Sequence, residues 1–117
     1  MQNSTNKFTV KFRGVRGSYP TPDYNFMQYG GNTACVEVNV NNHLIFLDGG
    51  TGIINAGNDM LKDYIASSHK EDMNATVLLS HLHQDHIQGI PFFKPIFVRS
   101  SLINLVSNVE YGNLSLI

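Results

Sequence analysis

Two stretches of this chain alternate polar and apolar residues with a period of two, the side-chain period of a half-buried strand. They are Lys7–Arg13 (KFTVKFR) and Thr33–Val40 (TACVEVNV). A turn at Asn41–His43 leads into a short apolar run, LIFLD, which reads as a buried strand ending at Asp48. After a glycine-rich turn (GGTGI), the residues Ile54, Met60, Leu61, Tyr64 and Ile65 fall at helical spacing. They predict a helix from about Gly52 to Ser68, weakened by Gly57. ATVLLS (75–80) reads as another buried strand, and DHIQGIPFF (85–93) as a short helix stopped by Pro91. The segment 17–32 is rich in Gly, Pro and Asn and predicts a long loop, and 69–74 a solvated connection. The last twenty or so residues predict two more short strands from a weak pattern. The order of elements is that of an α/β arrangement with helix packed on sheet. Sheets of that kind place their sites on loops at the carboxyl ends of strands.

Composition changes this picture little. The chain has 117 residues, 42% hydrophobic and 15% charged, which suits one globular domain. A net charge of −1 gives no bulk electrostatic case for nucleic-acid or membrane binding. One cysteine, Cys35, excludes an internal disulfide and suits a reducing compartment. No apolar run approaches the roughly 18 residues of a membrane span, and the start, MQNSTNKFTVKF, has no apolar signal core. The expected location is cytoplasmic.

Candidate chemistry is concentrated in one place. Of five histidines, three fall within six positions with an aspartate, as His81, His83, Asp85 and His86. In an extended segment His81 and His83 point to one side, and the bend into the next helix brings Asp85 and His86 toward the same region. Imidazole and carboxylate suit Zn²⁺, Fe and Mn²⁺, and the lack of thiolate argues against a purely structural zinc site. Ligands this dense fit two metals about 3.5–4 Å apart, which together lower the pKa of a shared water toward about 7. The competing interpretation is a polar loop whose histidines cap the following helix.

The pattern H-x-H-x-D-H, here His81-Leu-His83-Gln-Asp85-His86, resembles the signature of the metallo-β-lactamase superfamily. RGVRGSYPTP, YGGNTACVEV and LIFLDGGTGI precede it in the order found in the phosphodiesterase and tRNase Z-like branch. The resemblance covers residues 8 to about 97. It implies a metallo-β-lactamase-like αββα sandwich, of which this single domain, residues 1–117, carries only the first β-rich half with its helix and metal loop. It also implies a metal-dependent hydrolase acting on a small phosphodiester or related ester. His81 and His83 would ligate one metal, and Asp85 and His86 a second, most simply two Zn²⁺ ions. Asp85 would also assist the nucleophilic water, and Asp48 would support the ligands from behind. Gly49, Gly50 and Gly52 would let the backbone pass close under the metal loop, with Asn32 and Thr33 nearby.

The family's later ligands, contributed by a second half, have no counterpart here. After His86 the sequence contains no histidine and no aspartate, and Glu110 is its last acid. The alternative function is therefore a non-catalytic remnant or interaction module with a weak half site. An exposed sheet edge would invite a homodimer. A nuclease would call for a basic surface, which eight Lys+Arg against nine Asp+Glu do not supply.

Elsewhere the expectations are structural. His43 and His69 read as surface residues, Cys35 as a buried thiol, and Arg13 and Arg16 as solvated salt-bridging residues. Phe92, Phe93 and Phe97 read as core.

Overall fold

In the computed structural model, which describes residues 6–70 and 72–108, the two alternating stretches pair with the strand after them. β1 (Phe8–Gly14), β2 (Cys35–Val40) and β3 (His43–Leu47) form an antiparallel meander. Asn41 and Asn42 carry the β2–β3 turn with φ of 50° and 71°, the doubly left-handed turn that matches strand twist. α1 (Gly52–Ala66) then crosses over to β4 (Asn74–Leu79), which lies parallel to β3. α2 (Gln84–Ile87) and two 3₁₀ turns, Ile90–Phe92 and Lys94–Phe97, lead to β5 (Leu102–Ser107), parallel to β4. The sheet order is β1-β2-β3-β4-β5. The class is α/β with a mixed sheet, as the order of elements predicts.

α1 covers one face of this sheet. Ile53, Ala56 and Met60 pack with Cys35, Phe46, Ala75, Val77, Leu79 and Phe93. The helix continues through Gly57 because the glycine makes room. A Cβ there would stand 2.7 Å from the Phe93 ring and 2.9 Å from Pro95 Cδ. It stops at Ala66, two residues earlier than the spacing predicts, because Ser68 and His69 turn left-handed at φ of 56° and 65°. His69 then stacks on Tyr64, with ring centroids 4.6 Å apart.

Several expectations need correction. Of the three late phenylalanines only Phe93 is core; Phe92 and Phe97 are 62% and 74% exposed. Pro91 and Pro95 break this stretch into 3₁₀ turns, so one ring at a time faces inward. Arg13 does form salt bridges, to Glu37 (2.9 Å) and Asp59 (2.7 Å), but its side chain is only 10% exposed rather than solvated. β5 supplies one of the two late strands; among the described residues of this stretch there is no second, the part before β5 being the 3₁₀ turn Lys94–Phe97, and Glu110 lies outside the described residues. Among the described residues no helix is long and apolar enough to cross a membrane.

The second face of the sheet is largely apolar and uncovered among the described residues. Strand alternation and register place Phe8, Val10 and Phe12 of β1 beside Val40, Val38 and Val36 of β2. Ile45 and Leu47 of β3, Leu78 of β4 and Val106 of β5 continue the same surface. Among the described residues no Lys, Arg, Asp or Glu interrupts it, because Lys11, Arg13 and Glu37 alternate to α1's side. Phe8 and Phe12 are 69% and 70% exposed. Patches of this kind mark surfaces that another layer is meant to cover.

Candidate metal centre

β3 and β4 run parallel and end side by side, Leu47 beside Leu78. Their carboxyl ends therefore deliver Asp48 and the Ser80–His86 loop to one place. Asp48 turns out of its strand with φ 68°, and its amide donates to Leu78 O at 2.8 Å. The Gly49 amide donates to His86 O (2.7 Å) and the Gly89 amide to Gly49 O (3.0 Å), tying the glycine turn to α2. A Cβ on Gly50 would strike the Asp85 carbonyl, so this turn can approach the histidine loop only as glycine. Gly52 packs instead beneath Arg13 and Gly14 at the end of β1. Thr33, fully buried, exchanges hydrogen bonds with Thr51 and accepts from Gln88 Nε2, so the start of β2 is fastened to α1 and α2. Asn32 Oδ1 accepts from Thr51 Oγ (3.2 Å) in the same cluster.

The four clustered residues do come together. His81 lies 4.4 Å from His83 and 4.1 Å from His86 between ring centroids. His83 is the N-cap of α2, yet its side chain makes no capping hydrogen bond. His83 itself therefore does not act as a side-chain cap. Asp85 accepts from the Ser18 amide at 3.0 Å, which draws the β1–β2 loop to the site.

Behind the rings lies an ordered relay. Asp48 Oδ1 accepts from the Ser80 amide, and Asp48 also accepts the Ser80 hydroxyl and His86 Nδ1 at 2.8–2.9 Å. Ser80 Oγ in turn lies 2.9 Å from His81 Nδ1. A carboxylate only accepts, so the single Ser80 hydroxyl proton goes to Asp48. His81 must then donate from Nδ1 to Ser80, and His86 from Nδ1 to Asp48. Both neutral rings are left with the Nε2 lone pair facing away from the relay, the form in which imidazole binds metals. Burial pushes the Asp48 carboxyl up, but the bonds from Ser80 and His86 together outweigh it and hold the group below the usual carboxylate range. Asp85 is also held low, chiefly by the Ser18 amide and then by the neighbouring histidines, against a smaller desolvation effect.

His86 Nε2 faces Asp85 Oδ2 at 3.4 Å. Two acceptors face each other stably only with a proton or a cation between them. Donors in a tetrahedral shell with bonds of about 2.1 Å stand about 3.4 Å apart, so this pair has the span of two zinc ligands. Among the described residues, however, no group of three or more such side chains is placed to hold one ion. The His81 and His83 rings pack against each other instead, and would have to rotate to join the pair.

Sequence reasoning identified Asp48 and the four clustered residues but missed Ser80 and Ser18. Ser80 read only as the last residue of a strand, and nothing in the sequence tied Ser18 to a residue sixty-seven positions later. A cavity of about 440 Å³ lies at the opposite ends of β3 and β4, lined by Leu44, Met60, Tyr64 and Asn74 among others, and touches none of these residues. Comparison of the chain with protein-family models, curated proteins and solved structures returns no match.

Proposed function

We propose that the His81–His86 loop is a divalent-metal centre and that the chain is a metal-dependent hydrolase of the metallo-β-lactamase type. The observation that carries this is the relay through Ser80 and Asp48, which leaves the Nε2 lone pairs of His81 and His86 outside the relay, that of His86 3.4 Å from Asp85 Oδ2. His81, His83, Asp85 and His86 would hold the metal, Zn²⁺ by preference, with Fe or Mn²⁺ also compatible with imidazole and carboxylate donors. When bound, the metal would supply Lewis acidity toward a phosphodiester or related ester and an acidified water. The chain's own residues do the positioning. Asp48 and Ser80 fix the imidazole tautomers, and Ser18 holds Asp85 where it can take a proton from the attacking water. The uncovered apolar face supports the related proposal of an αββα sandwich, since that face is where a second sheet would pack.

A second reading has its own support. His86, protonated, would form an ion triad with Asp48 and Asp85 and need no metal, which agrees with the absence of three convergent donors among the described residues. The chain would then be a non-catalytic interaction module. Zn²⁺-loaded protein assayed with bis(p-nitrophenyl) phosphate separates the readings. The hydrolase reading expects turnover that Asp85→Ala abolishes without unfolding the chain. Turnover retained in Asp85→Ala removes Asp85 from the chemistry, and no turnover in the parent protein favours the module.

A further inference from the structure

Arg13 and Arg16 stand three residues apart and have opposite surroundings. Arg13 is held between two carboxylates, Glu37 and Asp59. Arg16 has neither an ion pair nor a side-chain hydrogen bond among the described residues, contrary to the salt bridge its sequence context predicts. Its guanidinium lies over Phe26, 4.3 Å from the ring centroid, and its buried Nε has no acceptor among the described residues. A guanidinium carries an N–H fork that matches an oxyanion, and among the described residues this fork has no partner.

The fork borders a cavity of about 260 Å³, lined by Arg16, Asn25, Phe26, Gln28 and Tyr29 with Val15 and Gly30. Among the described residues no acidic side chain lines it. Asn25, Gln28 and Tyr29 add N–H and O–H groups beside the Arg16 cation, with Gln28 Nε2 donating to the Tyr29 hydroxyl at 3.4 Å. The walls are braced by backbone bonds. The Arg16 amide donates to Asn32 O, the Thr21 amide to Gly31 O, and Asp23 caps the 3₁₀ turn Tyr24–Phe26. The chain links this cavity to the histidine loop. Ser18, two residues beyond Arg16, is the residue whose amide holds Asp85, and two residues of chain span at most about 7 Å.

We propose that Arg16 is the binding residue of an oxyanion subsite, taking a phosphoryl or carboxylate group of a ligand whose other end reaches Asp85. Its service as a substrate subsite rests on the hydrolase reading; anion binding at Arg16 does not. The test is NMR titration of the metal-free full chain with inorganic phosphate and, separately, acetate, following the Arg16 Nε–H signal and the amides of residues 25–30. Saturable shifts are expected, weakened at least tenfold in Arg16→Gln and less in Arg16→Lys, which keeps the charge but not the fork. Phosphate preference assigns the subsite to phosphoryl groups, and comparable acetate binding to carboxylates. No saturable shift with either anion, or equal binding by folded Arg16→Gln, overturns the proposal. If these shifts appear in a chain that binds no Zn²⁺, the hydrolase reading falls and the subsite stands.

Discussion

Replacing Asp48 by Asn tests the relay without removing a single proposed ligand. The introduced carboxamide can still accept from the Ser80 amide through Oδ1. Its NH₂ then faces His86 Nδ1, which must become an acceptor and push the ring proton to Nε2. The lone pair that would bind metal is lost unless the tautomer is forced back. Outer residues of this kind change metal affinity by about 10–100-fold, which corresponds to roughly 1.4–2.7 kcal/mol. Asp48→Ala removes the acceptor of three hydrogen bonds in a side chain only 13% exposed. It should in addition lower folding stability by about 1–3 kcal/mol. The assay is Zn²⁺ titration against a competing chelator, with urea unfolding of the metal-free chain alongside. Acid adds an independent check. Because the folded carboxyl is held low, its contribution to stability is present above the ordinary value of about 3.9 and is lost as pH falls through the lower folded value. The acid limb of the stability curve should therefore be shallower in Asp48→Asn. Unchanged Zn²⁺ affinity in a folded Asp48→Asn chain would refute the relay.

Three further outcomes are expected. Phe93→Ala empties a site at 1% exposure that meets Phe46 edge to face and should cost about 3–5 kcal/mol; a loss well under about 1 kcal/mol by denaturant unfolding would contradict the core described. Cys35 is fully buried, and burial pushes its thiol up to about 12, so a thiol reagent should label it only as the chain unfolds, and prompt labelling at neutral pH would oppose this. The uncovered sheet face should associate with a second copy of the chain, so sedimentation should show a dimer that Val38→Asp dissociates, and a monomer at high concentration would remove the face as a self-association surface.

β1 and β2 were legible because their period-two pattern is local, and β3 and β4 because each is a short apolar run. What the pattern could not reveal is which face meets α1. In β1 and β2 the apolar set, Phe8, Val10, Phe12, Val36, Val38 and Val40, lies away from the helix, and Arg13 with Glu37 occupies the helix side. The core that this set belongs to is not made by the described residues. The candidate site was legible for a similar local reason: four of its residues fall within six positions. Asp48 was legible as the end of a strand, but its bond to Ser80 depends on β3 and β4 being parallel neighbours, which no local pattern encodes. Arg16 was expected to find a carboxylate, as an arginine beside a polar loop ordinarily does, and among the described residues it finds Phe26.

The central claim is that the Nε2 atoms of His81 and His86 and the Asp85 carboxylate hold a metal. Native mass spectrometry of the purified chain titrated with Zn²⁺ tests it most directly. The account predicts one or two ions per chain, with the uptake lost in the His81→Ala/His86→Ala double variant. No saturable Zn²⁺ uptake by the parent chain, or the same uptake by the folded double variant, would contradict it.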